Sequence, residues 1–285
     1  MNALIEDAKK AALEVLLHNR VGPFEGLPRT AGWGYPEPYT RDLLISALGI
    51  LASGNADLIH SLEKVMETLA RNQSTHGQIP SLVHDAGDRG ASDTTPLFLL
   101  VLGMLRQITG DAALLDEAKV KALRWMDYQV TEDRVFVGQL PTSDWRDEQW
   151  VLGYGLYVNS LVHGYQRLLG LDDRAEALRA AANRQDGYGF ATPGQPVFAI
   201  WFYKVLRDSR CDVLGNSLAI LTGLADPDRA REMIAWMEVR CAEMRRCGEL
   251  ALDLPPCLFP FIQPSDPDWH ARYETYNMPG HYHNG

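Results

Sequence analysis

Val151–Leu169 reads VLGYGLYVNSLVHGYQRLL. Apolar side chains fall on almost every side of a helix drawn through it, so the helix is predicted to be buried on several sides. Segments at about 40–53, 94–109 and 213–224 have the same character. Each apolar segment is followed by an amphipathic one, at about 56–72, 111–130, 172–184 and 227–246. Two concentric rings of helices require that alternation, with inner helices covered all round and outer helices half exposed. The expected fold class is therefore all-α, an α/α toroid with short irregular strands in its loops. No linker, low-complexity run or block of like charge marks a boundary, so residues 1–285 read as one domain.

Punctuation along the chain supports this division. Ala3–Asn19 has Leu4, Ala8, Ala11, Ala12 and Val15 at helical spacing, and Gly54 with Asn55 ends the next helix. Asp111 is expected to cap the helix that runs to about Val130, and Asp226 with Pro227 opens the helix after residue 226. Val21–Tyr39 and His76–Ser92 read as loops, and VFVG at Val135 as a short strand. PVFAIWFY, Pro196–Tyr203, fits either a strand or a buried helix, and the last forty residues read as irregular. Loops at one end of the apolar helices carry nearly all the aromatic, acidic and histidine residues.

Composition narrows the function classes. The chain is 46% apolar and 22% charged, in the range of a soluble globular protein. Its net charge of −10 is the opposite of a nucleic-acid binder's footprint. The first twenty residues mix acids and lysines unlike a signal peptide, and the longest apolar run, Leu97–Leu105, is too short to span a bilayer. Cys211, Cys241, Cys247 and Cys257 form no CxxC pair and no metal-site spacing with histidine. A cytoplasmic protein with reduced thiols, with no cysteine–histidine metal site and with neither nucleic acid nor membrane as partner, is the expectation; the absence of a cofactor is expected from the carboxylate chemistry considered below.

Chemistry concentrates in Pro141–Tyr157, PTSDWRDEQWVLGYGLY. Three acids, Asp144, Asp147 and Glu148, stand beside two tryptophans and an arginine, in a loop expected to enter a helix start. Carboxylates among large rings are costly unless paired. Sugar-cleaving sites use such a setting to raise a carboxyl pKa and to stack a ring face. A capping Asp, a surface acid and two core tryptophans give the same local sequence.

Five blocks in order along the chain resemble α/α₆-barrel glycoside hydrolases of the neutral/alkaline invertase and amylo-α-1,6-glucosidase-like (glycogen-debranching-type) group. They are WGYPEPYTRDLL at Trp33–Leu44, SDTTPLF at Ser92–Phe98, Ser143–Tyr157, DVLGNSLAILTGL at Asp212–Leu224, and PGHYHNG at Pro279–Gly285. The resemblance implies a six-hairpin α/α barrel that continues past the H-N-G motif, and a second catalytic carboxylate among the later loops. This chain therefore reads as truncated at its C-terminus and the barrel as incomplete, which favours self-association through exposed inner helices.

The resemblance implies a glycoside hydrolase that acts on a small α-glucoside or sucrose-like saccharide with inversion. Inversion needs a proton donor and a carboxylate that activates water, roughly 6.5–9.5 Å apart. By motif match the donor is Asp147, the second acid of D-W-R-D. Asp144, three residues earlier, would keep Asp147 protonated by like-charge repulsion, and an inward Arg146 would oppose this. Asp42 is expected to accept from sugar hydroxyls with Arg41 orienting it, the alternative being a plain salt bridge. Trp33, Tyr35, Tyr39 and Trp145 would be stacking platforms. Asp93 is expected to cap the helix after it, with a sugar contact as a second role. Gln149, His281, His283 and Asn284 complete the expected sugar contacts. Glu274 is the only late acid that offers a substitute base. Rival readings are a sugar epimerase using His163, an inverting phosphorylase using Arg146 and Arg41, and a non-catalytic carbohydrate-binding fragment.

Overall fold

A computed structural model describes residues 2–32, 34–131, 133–147, 149–250, 255–266 and 268–269. Its contacts gather into two compact units, Met1–Tyr128 and Gln129–Gly285, and each is considered by itself. The chain is mostly helical with a few short strands. Among the described residues no helix is long and apolar enough to cross a membrane.

The first unit holds α1 (Asn2–Asn19), α2 (Thr40–Ser53), α3 (Ala56–Asn72), α4 (Thr94–Thr109) and α5 (Asp116–Asp127). Helix α4 buries eleven of its sixteen residues, whereas α5 buries three of twelve. In α3 the buried side chains Leu58, Leu62, Val65, Met66 and Leu69 form one stripe, and the Asn55 side chain caps it at the Leu58 N–H, 3.1 Å. Helices α2 and α4 pack on each other, with α3 on α2 and α5 on α4. Apolar α4 is thus inner and amphipathic α3 and α5 are outer, as the alternation requires. One boundary is different: Asp111 caps a turn at Ala113 N, 2.9 Å, not the helix. Leu115, at a φ of 52°, breaks the run there, so α5 starts at Asp116.

The second unit holds α6 (Leu156–Leu168), α7 (Asp172–Ala182), α8 (Val213–Thr222) and α9 (Pro227–Arg246). Strands β1 (Tyr154–Gly155), β2 (Trp201–Tyr203) and β3 (Leu206–Asp208) form an antiparallel sheet in that order. Strand β4 (Cys211–Asp212) pairs with β5 (Leu258–Phe259). Eleven of thirteen residues of α6 are buried, against three of twenty in α9. Helix α8 packs on α6, α7 lies on α6, and α9 on α8. The inner-outer pattern of the first unit is repeated.

Residues 151–155 are not helical, contrary to the reading of Val151–Leu169 as one helix. Gly153 has a φ of 77°, and a Cβ there would stand 2.7 Å from Tyr203 Cβ. The segment instead runs extended into β1 and pairs with β2. Pro196–Tyr203 resolves as extended chain, with Phe198 bridged to Ala191 before β2 begins. VFVG contributes one bridge, Val137 to Val130, and no longer strand.

One joint recurs in the second unit. Asn159, fully buried in the first turns of α6, accepts from Val137 N–H at 2.9 Å and donates to Val137 C=O at 3.0 Å and Gly155 C=O at 2.9 Å. Asn216 in α8 repeats it with Phe198 N–H at 2.9 Å, Phe198 C=O at 3.2 Å and Asp212 C=O at 2.9 Å. Each asparagine gives the edge of an extended segment a backbone-like partner inside an apolar core. Threonine does the same job in the first unit, where Thr94 Oγ1 donates to Ile79 C=O at 2.8 Å and Thr95 Oγ1 accepts from Ile79 N–H at 3.1 Å. The loops before α4, α6 and α8 are thereby fixed to the helix starts that carry the polar clusters.

Candidate functional site

In the second unit, backbone hydrogen bonds close two turns, one at Asp144 and one at Arg146. Asp147 N–H donates to Asp144 C=O at 3.2 Å, and Gln149 N–H to Arg146 C=O at 2.8 Å. These turns place alternate residues on opposite sides: Asp144, Arg146 and Gln149 are buried, whereas Asp147 is exposed and Trp145 half-buried. The helix start expected here is absent, since α6 begins only at Leu156.

Asp144 accepts three hydrogen bonds, from Arg146 N–H at 3.0 Å, Gln139 Nε2 at 3.0 Å and Arg146 Nη2 at 3.2 Å. Burial favours its neutral form, but the Arg146 charge and these donors outweigh burial and hold its carboxyl below the usual 3.8. Arg146 is only 1% exposed and stays charged between Asp144, Asp212 and Asp208. Its guanidinium lies 5.6 Å from the Trp145 ring centroid. The repulsion expected between Asp144 and Asp147 is therefore offset, because Arg146 turns inward and neutralises Asp144. Arg146 Nε and Nη1, and both amide atoms of Gln149, have no partner among the described residues.

Asp212, the first residue of the block Asp212–Leu224, is a buried carboxyl for which no role was expected. It is the N-cap of α8 and accepts from Gly215 N–H at 3.1 Å. Burial raises its pKa more than Arg146 lowers it, and the Asp144 charge adds to the rise. The sequence signal was an Asp immediately before an apolar helix. Nearby, Arg210 binds Asp208 at 2.8 Å, Asp266 at 3.0 Å and Asp268 at 2.6 Å, tying Asp266 and Asp268 to the β3–β4 connection.

In the first unit the cluster is simpler. Arg41 at the start of α2 grips Asp93 before α4 through Nε–Oδ2 at 2.5 Å and Nη2–Oδ1 at 3.2 Å. Asp93 is fully buried and makes no side-chain cap bond, which corrects its expected capping role: its carboxylate serves Arg41. Asp42 is exposed. Tyr35 is exposed and meets Tyr39 at a centroid distance of 5.6 Å, while burial followed by Tyr35 and Glu37 raises the Tyr39 pKa. His84 packs on Phe24 at 4.4 Å. Trp33, Glu148, Glu274, His281, His283 and Asn284 lie outside the described residues.

Three other candidates bear on rival chemistry. His163 is a core residue whose pKa is pushed down to about 4 by burial and by Arg167, so it is neutral. Arg146 and Arg41, the two cations considered for a phosphate, are each paired with a buried carboxylate. Among the described residues no group of three His, Cys, Asp or Glu side chains is placed to hold a metal.

No protein-family model and no curated protein matches the sequence. Solved structures do share its fold. A GH63 mannosylglycerate hydrolase from Thermus thermophilus, solved with Tris, superposes with a TM-score of 0.64 at 14% identity, over 97% of this chain and 83% of that one. An alpha-amylase from Clostridium perfringens gives 0.56 at 12% identity, over 88% and 73%. A rhamnosidase from Klebsiella oxytoca, solved with rhamnose bound, gives 0.53 at 15% identity, over 75% of this chain. The chain spans 46% of that rhamnosidase's length. The neighbours are glycoside hydrolases, and at these identities the likeness is one of fold.

Proposed function

We propose that the chain is a cytoplasmic α/α-toroid glycoside hydrolase of the invertase and debranching-enzyme type, cleaving a small α-glucoside or sucrose-like saccharide with inversion. The observation that carries this reading is the segment 144–147: an exposed Asp147 on a turn anchored from beneath by the buried Asp144–Arg146 pair. A proton donor must be reachable by the leaving oxygen and fixed in position, and Asp147 meets both needs. Asp144 is ionised and fully engaged, so its part is to hold the turn. Trp145, half-buried beside Asp147, is proposed as a stacking platform, and Gln149 is buried beneath the turn with both amide atoms unpartnered among the described residues. Taken by itself, the first unit's cluster of Arg41, Asp42, Tyr35 and Tyr39 is proposed as a set of saccharide contacts, with Asp93 holding Arg41. Similarity of fold to three glycoside hydrolases supports the reading.

Placement of the charged groups disfavours the rival enzymes. An epimerase needs a histidine that meets substrate, and His163 is sealed between α6 and α8. A phosphorylase needs an available cation, and both candidates are already neutralised. Hydrolysis of sucrose, maltose, isomaltose, trehalose and glucosylglycerate by the wild type and by Asp147→Asn tests the proposal. Turnover by the wild type that the substitution abolishes is expected. Turnover that survives it sinks Asp147, and saccharide binding without turnover leaves a non-catalytic carbohydrate binder.

A further inference from the structure

Within the first unit, α1, α2 and α3 enclose a cavity of about 160 Å³ together with residues 28–30. Its apolar wall is Leu43 and Ile50 of α2 with Leu58, Leu62 and Val65 of α3. All five are buried, and the three from α3 belong to the stripe that turns that helix inward. Ser46, on the same face of α2 as Leu43 and Ile50, is too short to fill the space, and its hydroxyl has no partner among the described residues. Close-packed interiors leave few voids larger than a water molecule, and an apolar void costs stability in proportion to its volume. Water does not relieve that cost, because a buried water needs several polar partners and the apolar wall offers none.

Where α1 ends the lining is polar. Arg29 N–H donates to Asn19 C=O at 2.8 Å, which brings the loop and the last residue of α1 together. Asn19 is 8% exposed, and its Oδ1 is buried with no partner among the described residues. Arg20 is already engaged, donating to Leu17 C=O at 3.2 Å and lying 3.8 Å from Asp57. Arg29 is half-buried, and no carboxylate among the described residues pairs with it. We propose that this cavity binds a small monocarboxylate whose body is a single ring or a compact branched chain, benzoate being the type. The body covers the apolar wall; an apolar cavity of roughly 150 Å³ takes up benzene. The carboxylate takes a charge-assisted bond from Arg29, with the Asn19 amide beside it. The site shares no residue with the turn carrying Asp147, so its occupancy stands whether or not the chain cleaves a saccharide.

The test titrates the full chain with benzoate at pH 7 by calorimetry, with benzyl alcohol and acetate as comparisons, and follows methyl resonances of an isotopically labelled sample. Saturable one-to-one binding of benzoate is expected, about tenfold or more tighter than either comparison, with shifts at the methyls of Leu62 and Val65. Arg29→Gln should lose about tenfold on benzoate, the worth of one charge-assisted hydrogen bond, and leave benzyl alcohol unchanged. Ser46→Leu fills the space from α2, so it should abolish binding and raise the melting temperature. No saturable binding of benzoate overturns the proposal. Benzyl alcohol bound as tightly as benzoate overturns it too, since the cavity then selects no anion. Benzoate that binds Arg29→Gln or Ser46→Leu as it binds the wild type, or that shifts only methyls away from α2 and α3, sits elsewhere and refutes the site. The methyl shifts need no variant, so they decide the matter even if Ser46→Leu does not fold.

Discussion

Replacing Asn159 by Leu tests the joint that fixes the loop before α6. Leu keeps the branched skeleton of Asn with bulkier ends, so the change removes hydrogen bonds without opening a cavity, and crowding only adds to the loss. Three bonds are lost, and two backbone groups, the N–H and C=O of buried Val137, are left without their partner. A stranded buried polar group costs about 1–3 kcal/mol, so the two together cost roughly 4 kcal/mol. Gly155 is the N-cap of α6, and an N-cap carbonyl accepts the first backbone bond of its helix, so it adds little. Urea unfolding followed by tryptophan fluorescence and far-ultraviolet circular dichroism measures the loss, with an unchanged m-value required for the comparison. Asn216→Leu should cost about the same, because its three bonds to Phe198 and Asp212 have the same geometry. A loss below about 1 kcal/mol in either variant, at constant m, refutes the claim that the asparagines supply otherwise absent partners.

Two further outcomes follow from buried charge. His163 has a folded pKa near 4 against an ordinary 6.5, so the native state resists protonation and stability falls as pH drops below 6.5, levelling off near 4. The total is roughly 3 kcal/mol, read from denaturant midpoints across that window, and His163→Leu should flatten the curve. Asp93→Asn leaves Arg41 with an amide in place of a buried, bidentate carboxylate, and should cost roughly 3 kcal/mol, whereas loss of a purely surface pair would be nearly silent in the same urea experiment.

The inner helices were legible because burial on all sides demands apolar residues on all sides, as in Leu97–Leu105 of α4 and Leu156–Tyr165 of α6. Their starts were less so. Gly153 and Gly155 in an apolar run look like tolerated helical glycines, and only the close approach of Tyr203 and Gln139 shows why the chain is extended there. Asn159 and Asn216 read as minor polar interruptions, since their partners lie 22 and 18 residues away in sequence. Asp93 looked like a cap because position alone suggests capping; the cation that claims it sits 52 residues earlier. In the acidic motif the residue types single out a stretch with a buried ion pair beneath an exposed acid, but the period was misleading. A helical spacing puts Asp144 and Asp147 side by side, whereas the two turns bury one and expose the other. Arg146 and Asp212 were missed as partners for the same reason: a long-range ion cluster leaves no local pattern.

Proton donation by Asp147 is the central claim, and an activated substrate isolates it. Fluoride leaves a glycosyl fluoride with little help from an acid, whereas a sugar alkoxide needs the proton. The measurement is kcat for a cleaved saccharide and for the matching α-glycosyl fluoride, in the wild type and in Asp147→Asn. With Asp147 as the donor, the variant loses about 10²–10⁴-fold on the saccharide and keeps most of its activity on the fluoride. Equal losses on both substrates, or full activity on both, would contradict the assignment.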